Sequence, residues 1–381
     1  MINIKGVTQR GENTYRFTVS VGFDGEGKHI RKTTTFKVPA GTAPSKVEKL
    51  VTEAYFEFYN KCKGMKKLNE NMKFKDLVEI YLKEYAPNEL KPATSYNYEK
   101  DLQLHMLPVL GNKKIKDISV SDMTTFFTCL DLAPITTKKM KTITSSVFTF
   151  GVNQGYIKNN PCRGALHKKD VTKVHKVNFY NKEQCKQLIS LTREYSKFNT
   201  IVQFLLFSGL RCGEGLALRW DTDVDFENDV IRISNTLTYA NGKWFLTTPK
   251  TAKSYRTIKL SNYVKQLLLI HKEKQEEEKA IVGEAWLQPE MVFTTCTGNF
   301  YDRSLLNTQF RRLLKKNNMP KITIHGLRHT NASLMINNGI DIKAVSAHLG
   351  HCNIAITGDI YSHIFEEYEI KIANTIEQDL I

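Results

Sequence analysis

The chain has 381 residues, 41% hydrophobic and 25% charged, proportions of a globular protein that exclude long disorder. Its formal net charge of +16 is spread along the sequence, which suits a polyanionic partner such as DNA, with ordinary solubility charge as the plain alternative. No apolar run nears the ~20 residues a membrane helix needs, and the N-terminus lacks a signal-peptide pattern. A cytoplasmic protein with no membrane partner is expected. Seven cysteines stand singly, with no CxxC pair; this argues against a disulfide framework or zinc ribbon and fits a reducing compartment.

Residues 1–40 alternate as strands do. Tyr15, Phe17, Val19 and Val21 share one face, and Arg16, Thr18 and Ser20 the other, around a turn at Asp24-Gly-Glu-Gly27. From Ala43 to Tyr59 the period becomes helical, with Val47, Leu50, Val51, Ala54 and Phe58 on one stripe. A small sheet with one packed helix is expected over 1–63. A Lys-rich linker follows from Cys62 to Met72. Helical patterns then recur at Phe74–Tyr85, Pro92–Leu107, Ser119–Leu130 and Thr136–Gly155, giving an all-helical domain over 72–165. Its lysines suit DNA or solvated helix faces equally.

A second basic linker, 164–176, leads into a mixed α/β domain over 176–381. Phe204–Gly209 should end a helix at its glycine. Arg211 follows, and a new helix is expected over Cys212–Trp220 with Glu214 in its first turn. Glu214 would hold Arg211 in an outward pose or simply pair with it. Strand-like runs fill Asp225–Leu260, with a hairpin signal at Asn241-Gly242. Lys250 is expected at a hairpin tip between Trp244–Thr248 and Tyr255–Leu260. His325 and Arg328 share a face near a helix start. Gly339 ends that helix, Asp341 caps the next, and Gly350 stops it with His351 at the exit. Asn353 would cap a helix carrying Tyr361 about two turns in. His325 and His329 have metal-ligand spacing, but no HExxH glutamate or cysteine pair completes a set, so no metal or other cofactor is expected.

Gly209-Leu-Arg211-Cys-Gly-Glu214, Pro249-Lys250-Thr, His325-Gly-Leu-Arg328-His329, Leu349-Gly350-His351 and Tyr361-Ser-His363 resemble, in order and spacing, the motifs of tyrosine recombinases. The resemblance is greatest to integrases of phages and conjugative transposons from Gram-positive bacteria. It implies a multidomain protein, mainly α with α+β parts. An N-terminal arm-DNA-binding domain would precede a helical, SAM-like core-binding domain and a mixed α/β catalytic domain with a C-terminal tail helix.

The implied activity is site-specific recombination through a 3′-phosphotyrosine and a Holliday junction. By resemblance, the catalytic residues are Arg211, Lys250, His325, Arg328, His351 and Tyr361, with Glu214 supporting. Tyr361 is the nucleophile, His325 its base and Lys250 the acid for the leaving 5′ oxygen. His329 and His348 read as structural. Implied partners are double-stranded DNA at core and arm sites, three further copies in a homo-tetramer, an excisionase and a host DNA-bending protein, at the bacterial nucleoid. The apolar stripe Phe365, Tyr368, Ile372, Ile376 and Leu380 would couple subunits or fold back on its own domain. Gly358 would loosen the tyrosine-bearing helix. A type IB topoisomerase and a catalytically silent DNA-binding regulator are the competing readings.

Overall fold

The computed structural model describes residues 4, 6–23, 29–62, 71–168, 178–248 and 255–350. The chain divides into two compact units, 1–173 and 174–381. No described helix is long and apolar enough to cross a membrane.

The alternation over residues 1–40 resolves into three antiparallel strands, β1 (Val7–Gly11), β2 (Thr14–Phe23) and β3 (His29–Lys37), in the order β1-β2-β3. Tyr15, Phe17 and Val19 are buried with Val51 and Tyr55 of helix α1 (Pro44–Cys62). The other face aligns Arg16 with Thr35, Thr18 with Thr33 and Ser20 with Arg31. Because side chains alternate across a strand, a polar stripe is the necessary companion of the aromatic one.

A separate core fills the helical part of the first unit, around Phe74, Tyr81, Leu102, Phe127, Val147 and Phe148. The helices are α2 (Phe74–Ile80), α3 (Pro92–Asp101), α4 (Val120–Cys129) and α5 (Pro134–Asn153). Both α2 and α3 run into a π-helical turn, Tyr81–Tyr85 and Leu102–Met106, followed by a one-turn helix with a proline at its start. Pro87 and Pro108 cannot donate to the preceding turn. The chain widens there instead, so that Ala86 N–H reaches Tyr81 O and Leu107 N–H reaches Leu102 O. Ser119 caps α4 through a reciprocal pair with Asp122.

In the second unit, α6 (Lys182–Leu191) and α7 (Lys197–Ser208) precede a one-turn helix, α8 (Cys212–Gly215). Strands β4 (Val224–Asp225), β5 (Val230–Ile233) and β8 (Arg256–Lys259) form one sheet. A two-stranded ribbon, β6 (Thr236–Ala240) and β7 (Lys243–Thr247), lies between β5 and β8 in sequence. Asn241 and Gly242 both take positive φ at its tip, 48° and 73°, as a two-residue hairpin turn requires. Helices α9 (Asn262–Val282), α10 (Arg303–Lys316), α11 (Ile324–Asn337) and α12 (Ile342–Leu349) follow among the described residues. Its core runs through Phe204, Leu205, Ile231, Phe293, Phe310 and Leu327.

Two expectations need correction. The helix expected over Cys212–Trp220 stops after one turn. The chain at Leu218–Trp220 pairs instead with residues 290–292, Val292 N–H reaching Leu218 O and Trp220 N–H reaching Glu290 O. Tertiary pairing there overrides the local helical pattern. Strands β7 and β8 do not pair with each other, since β8 lies along β5 and β7 along β6. The segment holding Lys250 therefore joins two sheets rather than the arms of one hairpin; residues 249–254 themselves lie outside the described residues.

Gly209 closes α7 at φ +63°, and a Cβ there would meet Asn331 Oδ1 at 2.5 Å and Leu349 Cδ2 at 3.0 Å. Gly209→Ala is expected to destabilise the second unit by about 1–3 kcal/mol through backbone strain and the clash. A lowered urea midpoint measures this; an unchanged midpoint contradicts it.

Candidate active site

The site begins at the left-handed turn of Gly209, which swings the chain out of α7 and sets Arg211 as the N-cap of α8. The first turn of a helix has unpaired N–H groups and a positive dipole end. Glu214, at the third position, answers both. Its Oε2 accepts the Arg211 backbone N–H at 3.0 Å and its Oε1 accepts Arg211 Nη1 at 2.7 Å. The Glu214 side chain is 4% exposed and that of Arg211 38%.

Helix α11 supplies the second arginine. Thr323 caps it by accepting the Gly326 N–H at 3.1 Å, placing His325 and Arg328 in its first turns. Arg328, 2% exposed, sends Nη1 to Gly209 O at 3.0 Å and Nη2 to Leu349 O at 2.7 Å. Helix α12 is capped by Asp341, whose Oδ1 accepts from Lys343 and Ala344, and ends at Gly350 with φ +67°.

The last carbonyls of α12 have no partner within the helix and sit at its negative end. Three successive ones are taken by three different arginines. Arg256 Nε donates to His348 O at 2.7 Å, Arg328 Nη2 to Leu349 O, and Arg211 Nη2 to Gly350 O at 3.1 Å. Arg256 also donates from Nη2 to Glu214 Oε2 at 2.9 Å. Charge recognition thus joins the start of α8, the body of α11 and the exit of α12.

Burial raises the Glu214 pKa, but the net shift is downward, because the Arg256 hydrogen bond and charge, and then Arg211, favour the carboxylate more strongly. His325 is open to solvent on one side. The protein packed around it, followed by His329, Arg328, Arg211 and Arg303, pushes its pKa down to about 4. Its ring meets that of His329 edge-on at 4.8 Å. Burial also lowers the pKa of His329 and His348, and His348 Nε2 donates to Ser208 O at 3.1 Å. Among the described residues, no group of three or more His, Cys, Asp or Glu side chains could hold a metal ion.

Of the residues singled out from sequence, the structure brings together Arg211, Glu214 and Arg328, with His325 close enough to feel both arginines. Lys250, His351, Asn353, Gly358, Tyr361, His363 and the tail stripe lie outside the described residues. Sequence reasoning missed Arg256, which is 7% exposed. It sits in a strand whose pattern looks ordinary. The available signal was indirect: a buried carboxylate has lone pairs for more than one arginine.

His325 is therefore in its neutral form at physiological pH. The unfolded chain takes up a proton near pH 6.5, whereas the folded site resists until about pH 4. The stability from keeping this ring neutral is complete above pH 6.5 and is lost as the pH falls towards 4. An NMR titration should place the His325 midpoint below pH 5; a midpoint near 6.5 contradicts the geometry.

Comparison with known proteins gives the same outline. The phage integrase family matches residues 178–367, and the phage integrase N-terminal SAM-like domain matches 73–130. The chain is 29% identical to a tyrosine recombinase XerC-like protein of Caldanaerobacter subterraneus subsp. tengcongensis, covering 97% of each. It is 26% identical to the ICEBs1 integrase of Bacillus subtilis, covering 95% of this chain and 96% of that one. The fold is similar to that of the Tn1549 transposon integrase, solved in complex with transposon right end DNA. The TM-score is 0.65 at 24% identity, over 78% of this chain and 99% of that one. With its two matched regions in family order, the chain belongs to the phage integrase family, as a tyrosine-type site-specific recombinase.

Proposed function

We propose that the chain integrates and excises a mobile element by cutting and rejoining DNA strands through Tyr361. The observation that carries this reading is the set of three arginines on the carbonyls of residues 348–350. Fixed positive charge at Gly350, the residue before His351 in sequence, supports a phosphate site there.

A phosphodiester repels nucleophiles because its non-bridging oxygens are negative, so cations on those oxygens lower the barrier. Arg211 is the more exposed of the two proposed clamps and meets the phosphate; Arg328 adds its charge from beneath. Both stay protonated at any working pH. His351 donates a further hydrogen bond. A tyrosine has a pKa near ~10, so roughly a thousandth is phenolate at neutral pH. His325 removes the proton, and the nearby arginines favour the phenolate. Tyr361 Oη then bonds to phosphorus as the bond to the 5′ oxygen breaks, and Lys250 protonates that oxygen. The 3′-phosphotyrosine preserves the bond energy. A 5′ hydroxyl from another strand reverses the step, so the chemistry consumes no ATP and no water.

The three-part domain reading, with boundaries at 1–63, 72–165 and 176–381, assigns arm-site DNA to the sheet and core-site DNA to the helical part. The polar face of β2 and β3, with Arg16, Arg31 and a row of threonines, supports the first assignment, since such a ribbon fits a major groove. Exchange between paired sites calls for a homo-tetramer and a Holliday junction, with the tail after Tyr361 docked on a neighbour. An excisionase and a host DNA-bending protein would set direction, in the bacterial cytoplasm at the nucleoid.

A nicked duplex bearing the element's attachment site, incubated with the protein, should give a denaturant-stable adduct that Tyr361→Phe abolishes. An adduct persisting in that variant contradicts the reading. Lys250→Ala should slow cleavage by about 10²–10⁴-fold, and a 5′-thiol leaving group, which departs without a proton, should restore the rate. Equal slowing on both substrates removes Lys250 as the acid. Replacing Arg16 and Arg31 with alanine should weaken arm-site binding and reduce the log–log salt slope by about 2, leaving core-site binding intact. An unchanged slope excludes that face from the DNA contact.

A further inference from the structure

The Arg211–Glu214 pair alone poses an electrostatic problem. A buried carboxylate 2.7 Å from Arg211 Nη1 would cancel most of the charge that Arg211 offers a phosphate. Arg256 changes this balance. One carboxylate is shared by two guanidinium groups, Oε1 facing Arg211 and Oε2 facing Arg256, so the trio keeps a net positive charge.

We propose that Arg256 is a positioning residue for strand cleavage: it neutralises Glu214 and pins the exit of α12, so that Arg211 reaches the scissile phosphate with its charge uncompensated.

Three observations support this. The side chains of Arg256 and Glu214 are 7% and 4% exposed, whereas that of Arg211 is 38% exposed. The inner arginine is thus the better placed to balance the carboxylate, leaving the outer one for a ligand. Second, Arg256 Nε holds His348 O while Arg211 Nη2 holds Gly350 O. The same two arginines that share Glu214 therefore also share the end of α12. The ring Arg256–Glu214–Arg211–α12 is closed, so loss of one member frees the others to move. Third, the close fit is built into the backbone. A Cβ on Gly350 would lie 3.0–3.2 Å from Nη1, Cδ and Cζ of Arg256, so the glycine lets the guanidinium pass beneath the turn. The plain alternative is a buried ion pair that only holds the fold, and buried pairs do not reliably add stability.

This inference rests on the Tyr361 reading, and the experiment separates the two. Adduct formation on the nicked attachment-site duplex is followed for the wild type, Arg256→Gln and Arg256→Lys. A parallel duplex carries a methylphosphonate at the scissile position, which lacks one negative oxygen and depends less on cations. Arg256→Gln should slow adduct formation on the phosphodiester by about 10–100-fold, somewhat less than loss of a direct transition-state donor. The loss should shrink on the methylphosphonate. Arg256→Lys should recover much of the rate, because charge returns without the forked geometry. Binding of uncleaved DNA should stay near wild type, whereas the thermal midpoint should fall for Arg256→Gln, because a buried carboxylate loses one of its two charged partners.

A wild-type rate for Arg256→Gln overturns the proposal. Equal loss on both substrates also overturns it and assigns Arg256 to the fold alone. Failure of the Tyr361 reading looks different: the wild type forms no adduct, or Tyr361→Phe still forms one, whatever stands at position 256.

Discussion

The carbonyls of His348, Leu349 and Gly350 are each held by a different arginine, and the rest of the site depends on that arrangement. Helix ends leave carbonyls unsatisfied and carry partial negative charge. This protein satisfies them with side chains drawn from β8, α11 and the start of α8. The three arginines thereby hold the end of α12 up to Gly350. Packing supports the same junction. Asn331 of α11 donates to both Leu206 O and Phe207 O, and His348 of α12 donates to Ser208 O.

So many cations in one place are tolerable because one carboxylate lies among them and the backbone supplies further acceptors. Glu214 faces two guanidinium groups, and Arg328 spends two donors on carbonyls. A dry interior would not hold this much positive charge without such partners. The cost of assembling the site is met during folding rather than when DNA arrives. Preorganised charge of this kind needs no rearrangement when an anionic group arrives.

Much of this was legible in the sequence, in unequal measure. Gly209, Gly350 and Asp341 announced helix boundaries because glycine and aspartate do so for local reasons, and the structure places boundaries at all three. The Asn241-Gly242 turn was equally local. The edge strand β1 was harder to see, since only Val7 of its five residues is apolar and its side chains are largely exposed. Pairings made at long range were invisible. The extended chain at Leu218–Trp220 depends on residues 290–292, and the role of Arg256 depends on partners 42 and 92 residues away. The resemblance to tyrosine recombinases supplied the roles of the matched positions and had no role for Arg256.

The central claim is that this assembly of arginines serves a nucleophile at Tyr361. Mass spectrometry of the covalent complex tests it most directly. After nuclease trimming, trypsin should release a peptide ending at Lys371 that contains both Tyr361 and Tyr368, and fragmentation can distinguish them. The account predicts the nucleotide remnant on Tyr361. A remnant on Tyr368, or on any other residue, would contradict it.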